Sequence, residues 1–318
     1  MAQPPIVTAY AGTTPWKNTS PALNPAGTLF TPNLVSGLAL WLDGNDVNGD
    51  GTSPGGTGSK ISSWVNKASN IYTCTQATAS NQPTFANPGI LFSNENKGAG
   101  FTIQGHSLTY SSSNNNETIY MVLNYNYPAT VTIMNLLYPN KLYGRQFTID
   151  NLNVLTTSKF GTGVILAKGT LSQNTTTLVN SLISPTQITH YQNGTNEGSS
   201  NTTTFTNADL TFLGNDNYNG TSCFNGTMYE VLIYSNTLAD NDRYSIETYL
   251  YQKWNFNLNS SNPYKNMKNY NYPLLDSNFF FGTKYVTSSS NNINILNYPL
   301  ISNSLNKFPN TLSNAPFP

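Results

Sequence analysis

The chain has 318 residues, of which 37% are hydrophobic and 9% are charged, and its formal net charge is zero. Soluble domains usually contain about 25% charged residues, so this surface must be polar through Asn, Ser, Thr and Tyr. Without a basic surface, the chain is not expected to bind nucleic acid or acidic membranes. No apolar run approaches the roughly 18 residues of a membrane-spanning helix, so no span is predicted. A neutral, amide-rich surface favours association with neighbouring proteins.

Residues 1–33 are predicted to form an extended N-terminal arm. They show no helical or strand periodicity and contain Pro4, Pro5, Pro15, Pro21, Pro25 and Pro32. Proline breaks helices and removes a donor from central strands. The N-terminus has no charged segment followed by an apolar one, so no secretory signal is predicted and synthesis in a cytosol is expected.

From Leu38 onwards, short apolar segments alternate with turn sequences. The predicted strands cover residues 38–43, 61–65, 71–75, 89–92, 118–123, 130–137, 147–155, 164–167, 178–183, 187–191, 210–213 and 228–234. The pairs Asn193-Gly194, Asn219-Gly220 and Asn225-Gly226 are typical of tight hairpin turns. Many short strands at this spacing predict an all-β sandwich or barrel.

One helix is predicted from Asp240 to Trp254. Its apolar side chains fall at helical spacing on one face: Ile246, Tyr249, Leu250 and Trp254. Asp240 and Asp242 in the first turn and Lys253 in the last match the helix dipole, and Arg243 and Glu247 are spaced to pair. We expect a surface helix that covers the sandwich.

Residues 266–318 are predicted to form an extended C-terminal arm rich in Asn, Tyr, Pro and Ser. Disordered tails contain few aromatic residues, whereas this one contains many, so its apolar side chains are expected to be buried against the rest of the chain or against a partner. The candidate anchors are Phe279, Phe280, Phe281, Ile293, Ile295 and Leu296.

Several motifs between these arms occur in a recognisable order. The first half contains Leu38-Ala-Leu-Trp-Leu-Asp43, Asp46-Val-Asn-Gly-Asp-Gly51 and Ser63-Trp-Val-Asn-Lys-Ala-Ser-Asn70. The second half contains Tyr191-Gln-Asn-Gly194, Glu230-Val-Leu-Ile-Tyr234, the predicted helix, and Leu258-Asn-Ser-Ser-Asn-Pro-Tyr-Lys265.

This set resembles the concanavalin A-like lectin/glucanase domain of the LamG-like kind, with Asn262 where that family usually has His. The resemblance covers both ends of the segment and is weak in its middle. It implies an all-β, concanavalin A-like jelly-roll β-sandwich over residues 34–265, with one C-terminal surface helix and an extended arm on each side.

Enzymatic motifs are sparse, and we predict that the chain is not an enzyme. Retaining glucanases of the resembling family carry their carboxylates two residues apart on one strand, and none of the glutamates here has a carboxylate at that distance. His106 and His190 do not form a zinc spacing with Cys74 and Cys223, which are either two buried thiols or one disulfide.

The loop Asp46-x-Asn48-x-Asp50-Gly51 has the oxygen spacing of a calcium site. The full calcium-loop pattern requires a Glu at its twelfth position, where Thr57 stands. The alternative is a turn whose carboxylates bond only to their own backbone. Both interpretations stay open, and calcium at Asp46, Asn48 and Asp50 is the only candidate cofactor.

Sugar binding is compatible with the abundance of Asn, Asp and Tyr, but that abundance prevents the assignment of a sugar site. Tyr125, Tyr127 and Tyr218 lie in loop-like sequence and are candidate contacts. Two functions remain open. The first is a structural capsid protein in the virion of a large icosahedral DNA virus, bound to other capsid proteins through both arms. The alternative is a carbohydrate-binding lectin or adhesin at a cell surface.

Overall fold

The computed structural model describes residues 30–53, 55–68, 74–93, 101–103, 116–127, 133–139, 142–201, 205, 211–215, 222–266, 288–289 and 292–293. The chain divides into two compact units. One unit is Val35–Lys265, and the other consists of Met1–Leu34 together with Asn266–Pro318.

The first unit is built from strands and one helix. The early strands are β1 (Leu38–Asp43), β2 (Ser63–Trp64), β3 (Cys74–Thr75), β4 (Thr84–Phe85), β5 (Ile90–Phe92) and β6 (Phe101–Ile103), with a 3-10 turn at Ala79–Asn81. The central strands are β7 (Glu117–Tyr125), β8 (Ile133–Pro139), β9 (Arg145–Asp150), β10 (Val154–Lys159), β11 (Gly163–Thr170) and β12 (Thr177–Ile183). The last elements are β13 (Gln187–Gln192), β14 (Thr195–Asn201), β15 (Thr211–Leu213), β16 (Gly226–Tyr234) and the helix α1 (Asp240–Trp254).

The strands form two eight-stranded sheets. The first sheet has the order β14-β13-β12-β7-β16-β5-β4, with β1 also paired to β16. The second has the order β11-β10-β9-β8-β15-β6-β3-β2. Both contribute to one apolar core, which includes Leu40, Leu42, Ile119, Met121, Phe147, Ile149, Leu155, Val179 and Val231. The prediction of a mostly β, sandwich-like unit with a helix after the last long strand is thus confirmed.

The described part of the second unit is small. It contains a 3-10 turn at Pro32–Leu34 and the two-stranded pair of β17 (Ser288–Ser289) and β18 (Asn292–Ile293). Five of the predicted partner anchors, Phe279, Phe280, Phe281, Ile295 and Leu296, lie outside the described residues. The sixth, Ile293, is described only as the last residue of β18.

The helix α1 has the bounds that the sequence predicts. It ends at Asn255, which has the left-handed conformation with φ of 53° and donates its backbone N–H to the Tyr251 carbonyl. With 15 residues, α1 is too short and too polar to cross a bilayer, and the described residues contain no other helix that could do so. Its polar face is less exposed than expected, because Arg243 and Glu247 are 4% and 0% exposed. Their predicted pairing is therefore a buried ion pair.

The prediction of one strand over residues 147–155 is wrong, because a turn divides it into β9 and β10. The Asp150 side chain accepts hydrogen bonds from the backbone N–H groups of Leu152 and Val154, both at 2.9 Å. Asn153 has a φ of 62°, a left-handed conformation that Asn tolerates better than most residues. The apolar pattern continues through this turn and therefore conceals it.

The strand β14 was not predicted, since Thr195–Asn201 contains no apolar residue. It forms because the Asn193-Gly194 turn folds it back onto β13, with Gln192 opposite Thr195 and Gln187 opposite Asn201. Asn193 and Gly194 have φ values of 50° and 81°, as a two-residue hairpin of this kind requires. The predicted hairpin is confirmed, and it places a polar strand at the edge of the first sheet.

Candidate functional site

Five charged side chains converge where β1, β16 and α1 meet, and we call them the charged network. Asp43 and Glu230 lie opposite each other on β1 and β16. The Lys253 ammonium is 2.7 Å from Asp43 Oδ1 and 2.8 Å from Glu230 Oε2. The Lys67 ammonium is 3.0 Å from Asp43 Oδ2 and 2.7 Å from Asp46 Oδ2. Each carboxylate therefore has a lysine partner.

Neutral donors complete the surroundings of Glu230. Its Oε1 accepts hydrogen bonds from Trp41 Nε1 at 2.8 Å and from the Tyr249 hydroxyl at 2.9 Å. Its Oε2 accepts one from Trp254 Nε1 at 2.5 Å. Burial raises the pKa of Glu230, and Lys253 acts in the opposite direction. Since the side chain is fully buried and surrounded by donors, it is not accessible to a ligand from solvent.

Asp43 shows the complementary balance. Burial disfavours its charged form, but Lys253, the backbone N–H of Asn45 and Lys67 together outweigh burial and hold the pKa of this carboxyl below its usual value. Carboxylates on two neighbouring strands are thus joined through one lysine of α1. The arrangement holds the helix against the sheet, and we assign it a structural role.

The motifs behind the family resemblance meet in this network. The early motifs supply Trp41, Asp43, Asp46 and Lys67, and the late motifs supply Glu230, Lys253 and Trp254. Residues almost 190 positions apart in sequence therefore form one set of contacts. This is a physical reason why the motifs indicate a fold and carry little information about function.

The loop predicted to bind calcium uses its oxygens for bonds within the chain. Asp46 Oδ1 accepts the backbone N–H of Gly51 at 2.8 Å, while its Oδ2 pairs with Lys67. Asp50 Oδ1 accepts the N–H and the hydroxyl of Thr52 at 2.9 and 2.6 Å. Within the described ranges, no three Asp, Glu, His or Cys side chains are grouped to hold a metal ion. This geometry supports the alternative of a self-bonded turn, and calcium binding stays a prediction.

Polar side chains also lie inside the sandwich. Arg145 of β9 forms a buried ion pair with Glu117 of β7, and so links the two sheets. His190 is fully buried, with Nδ1 3.3 Å from the Lys168 carbonyl and Nε2 2.8 Å from the Thr157 hydroxyl. Because a carbonyl only accepts, Nδ1 carries the proton and Nε2 accepts from Thr157. Burial lowers the pKa of His190 to about 4, so the ring is neutral.

An open cleft of about 560 Å³ lies beside the β13–β14 hairpin, and we call it the amide–hydroxyl cleft. It is lined by Thr170, Gln192, Asn193, Thr195, Glu197, Asn257, Leu258, Asn259, Ser260 and Lys265. Its size falls within the roughly 300–1,000 Å³ of small-molecule sites, although such sites are usually apolar. A polar lining with one carboxylate and one ammonium suits a ligand that is rich in hydroxyl groups.

Hydrogen bonds between distant segments hold the cleft in shape. The Asn259 backbone N–H donates to the Asn193 carbonyl at 2.7 Å, and its side chain donates to the Thr195 hydroxyl at 2.5 Å. Asn193 exchanges bonds with Leu178 through its backbone N–H and side-chain oxygen, each at 2.8 Å. The segment after α1 is thereby fixed to the hairpin. Sequence analysis missed the cleft, since only the Asn193-Gly194 turn signals any part of it.

The remaining candidates are placed as follows. Cys74 and Cys223 are buried and free, so the alternative of two thiols holds. Tyr125 lies in the core, where its hydroxyl contacts the Leu171 carbonyl at 3.1 Å, and its assignment to a loop is corrected. Tyr127 is partly buried against the same core. His106 and Tyr218 lie outside the described residues.

Comparisons with known proteins give structural similarity only. No protein-family model matches the chain, and no curated protein matches it. Among solved structures, it is similar to a Trypanosoma rangeli sialidase in complex with sialic acid, with 16% identity and a TM-score of 0.50. That match covers 70% of this chain and 34% of the sialidase chain. The chain thus spans about a third of the length of the sialidases that it matches.

Two further similar structures are smaller. Domain 4 of AbnA, a GH43 extracellular arabinanase from Geobacillus stearothermophilus, solved with arabinotriose, has 13% identity and a TM-score of 0.41. The match covers 94% of that domain and 64% of this chain. The CBM40 of a Ruminococcus gnavus sialidase, bound to sialyllactose, has 16% identity and a TM-score of 0.35, with 92% of it and 45% of this chain covered.

These comparisons correct one prediction. The chain was expected not to be an enzyme, and this is contradicted because the similar structure with a TM-score of 0.50 is a sialidase, which is an enzyme. At 16% identity, this similarity points to a glycosidase-like fold and identifies no catalytic residue in this chain. The fold similarity therefore does not identify a ligand or substrate, which has to be inferred from the side chains that line the surface of this chain.

Proposed function

We propose that residues 35–265 form a concanavalin A-like jelly-roll sandwich that binds carbohydrate in the amide–hydroxyl cleft. The observation behind this proposal is the lining of the cleft, where side-chain amides and hydroxyls supply both donors and acceptors. A sugar hydroxyl also donates and accepts, so one ring can satisfy several of these groups at once. Neither the fold nor the polar lining identifies a reaction on a bound sugar. The proposal is therefore limited to carbohydrate binding.

The cleft is also rigid, which matters because a mostly polar site gains little binding free energy from apolar contacts. The side-chain and backbone bonds between Asn259 and the β13–β14 hairpin fix groups that would otherwise lose conformational entropy on binding. Leu258, which is 1% exposed, gives the lining its apolar support. We therefore expect modest affinity with clear selectivity among sugars.

A structural role in a virion remains a second prediction. It depends mainly on the two arms, which lie almost entirely outside the described residues. Binding of the arms to other capsid proteins, and location in a capsid, are therefore proposals that rest on the sequence alone. The same holds for the alternative location at a cell surface.

The carbohydrate proposal is tested with a glycan array on the full chain, followed by calorimetry with each glycan that binds. Sialic acid, sialyllactose and arabinotriose belong among the probes, because the similar structures were solved with them. Gln192→Ala removes an amide from the cleft and should weaken binding about fivefold, the effect of one hydrogen bond of about 1 kcal/mol. Assays for hydrolysis of the same glycans separate binding alone from glycosidase activity.

Gln187→Ala is the matched control, since Gln187 is an exposed amide at the opposite end of β13. It should leave the affinity unchanged. The proposal is wrong if no glycan binds, or if a bound glycan is affected equally by both variants.

A further inference from the structure

A row of side chains crosses the face of the first sheet that lies beneath α1. Tyr120 pairs with Leu232 on one side and with Asn180 on the other, and Asn180 pairs in turn with Tyr191. Ile119, Met121 and Val179, the neighbours of Tyr120 and Asn180 along their strands, belong to the core. Because side chains alternate between the faces of a strand, Tyr120 and Asn180 point away from the core, towards the helix side.

Polar atoms in this row are buried without protein partners among the described residues. Tyr120 and Asn180 are both 0% exposed. The Tyr120 hydroxyl and both amide atoms of Asn180 have no hydrogen-bond partner within the described part of the chain. Buried polar groups in folded proteins are nearly always bonded, and leaving one unbonded is unfavourable. Three such atoms on adjacent strands point to a common partner.

Another buried asparagine shows what the usual arrangement looks like. Asn66 is 1% exposed, and its side-chain oxygen accepts the N–H groups of Trp41 and Ala68 at 2.8 and 3.0 Å. Its amide nitrogen donates to the Ala39 carbonyl at 3.0 Å. The protein therefore satisfies both ends of Asn66 by itself, which it does not do for Asn180.

The helix supplies polar groups above the row. The Arg243 guanidinium lies 4.3 Å from the ring centre of Tyr191, which places α1 over the neighbour of Asn180. Arg243 pairs with Glu247 Oε1 at 2.7 Å, and Asn262 donates to Glu247 Oε2 at 3.0 Å. Glu247 is fully buried, and a carboxylate has about four acceptor positions, so it retains acceptor capacity. Burial raises the pKa of Tyr120, and the charge of Glu247 contributes to this.

We infer that α1 encloses an ordered water site formed by the Tyr120 hydroxyl, the Asn180 amide and the Glu247 carboxylate. Buried waters in proteins make about three hydrogen bonds to groups of this kind. The Tyr120 hydroxyl and the Asn180 Nδ2 can donate to such a water, and the water can donate to Asn180 Oδ1 or to the carboxylate. The inner face of α1 is thus joined to the sheet by solvent as well as by direct contacts.

A crystal structure of the full chain at high resolution provides the test. We expect a density peak within about 3.2 Å of both the Tyr120 hydroxyl and the Asn180 amide, and no such peak beside the amide of Asn66. In solution, the Asn180 side-chain amide protons should show a cross-peak to water in a rotating-frame NOE spectrum. The amide protons of Asn66 should not.

Two variants separate a bound water from a local packing effect. Tyr120→Phe keeps the ring and should weaken the Asn180–water cross-peak or remove it. Asn180→Leu keeps the volume and should remove the density peak. The inference is overturned if the wild-type protein shows no such peak, or if the cross-peak in Tyr120→Phe equals that of the wild type.

Discussion

The charged network and the amide–hydroxyl cleft use polar side chains in different ways. In the network, Glu230 is fully buried and receives bonds from Trp41, Tyr249 and Trp254 in addition to the ion pair with Lys253. In the cleft, Gln192 is partly exposed and lines an open space. A polar group whose bonds are completed by the protein contributes to stability, whereas one that faces an open cleft is available to a ligand. Substitutions in the two regions should therefore separate stability from binding.

The largest effect is expected from Lys253→Met. This change removes the cation shared by Asp43 and Glu230 and leaves the fully buried Glu230 with neutral donors only, while Asp43 keeps its ion pair with Lys67. Breaking a buried pair in this way typically costs about 3–5 kcal/mol, and partial exposure of Lys253 favours the lower end. The free energy of unfolding in urea measures the loss. Lys60→Met, at an exposed lysine, is the control, and an equal loss in both variants would contradict the role of the network.

Acid should destabilise the protein through His190, a buried polar group that carries no charge. Its folded-state pKa, about 4, lies below the usual 6.5, so the unfolded chain binds the proton more readily. Stability is fully present above pH 6.5 and falls as the pH drops towards 4, by up to about 3 kcal/mol. Urea unfolding at several pH values should show this slope.

The control for this pH dependence is His190→Gln, which is not protonated in this range. It should lack the part of the slope between pH 6.5 and 4 that is due to His190, while other groups continue to titrate. If the wild type and the variant lose stability in parallel across this range, the assignment to His190 is wrong.

An intermediate effect on both properties is expected from Gly194→Ala, at the tip of the hairpin. Gly194 has a φ of 81°, and an added Cβ would lie 3.1 Å from Glu247 Oε2 and from Leu258 Cδ1. The left-handed backbone alone costs about 1–2 kcal/mol for an alanine. Gly58→Ala is matched, since its φ is 93° and no atom lies within 4 Å of the added Cβ. Gly194→Ala should lower the free energy of unfolding more than Gly58→Ala does, and it should also weaken glycan binding. Both results together would show that the contact of the hairpin with Glu247 and Leu258 supports the cleft.

The smallest effect is expected from calcium. Since Asp46 is already bonded to Lys67 and to the backbone of Gly51, added calcium should leave the melting temperature nearly unchanged. Differential scanning fluorimetry with calcium and with a chelator checks this. A rise in melting temperature with calcium that is lost in Asp46→Asn would instead establish the metal site predicted from the sequence.

Local features could be predicted from the sequence, because their physical causes lie within a few residues. The helix Asp240–Trp254 follows from its apolar spacing and its terminal charges, and the β13–β14 turn follows from Asn193-Gly194. The break between β9 and β10 was missed, because the apolar pattern runs across it. The strand β14 was missed, because its pairing with β13 requires no apolar residue.

A neutral, amide-rich chain, a succession of short strands and one helix with defined ends can all be predicted from the order of the residues. The fold determines which polar residues have a structural role and which remain open to solvent. Asp43 and Glu230 are far apart along the chain, and neither has a distinctive local pattern that predicts burial beside Lys253. Whether a polar group is solvated, paired or available to a ligand depends on what packs around it, and those neighbours come from distant segments.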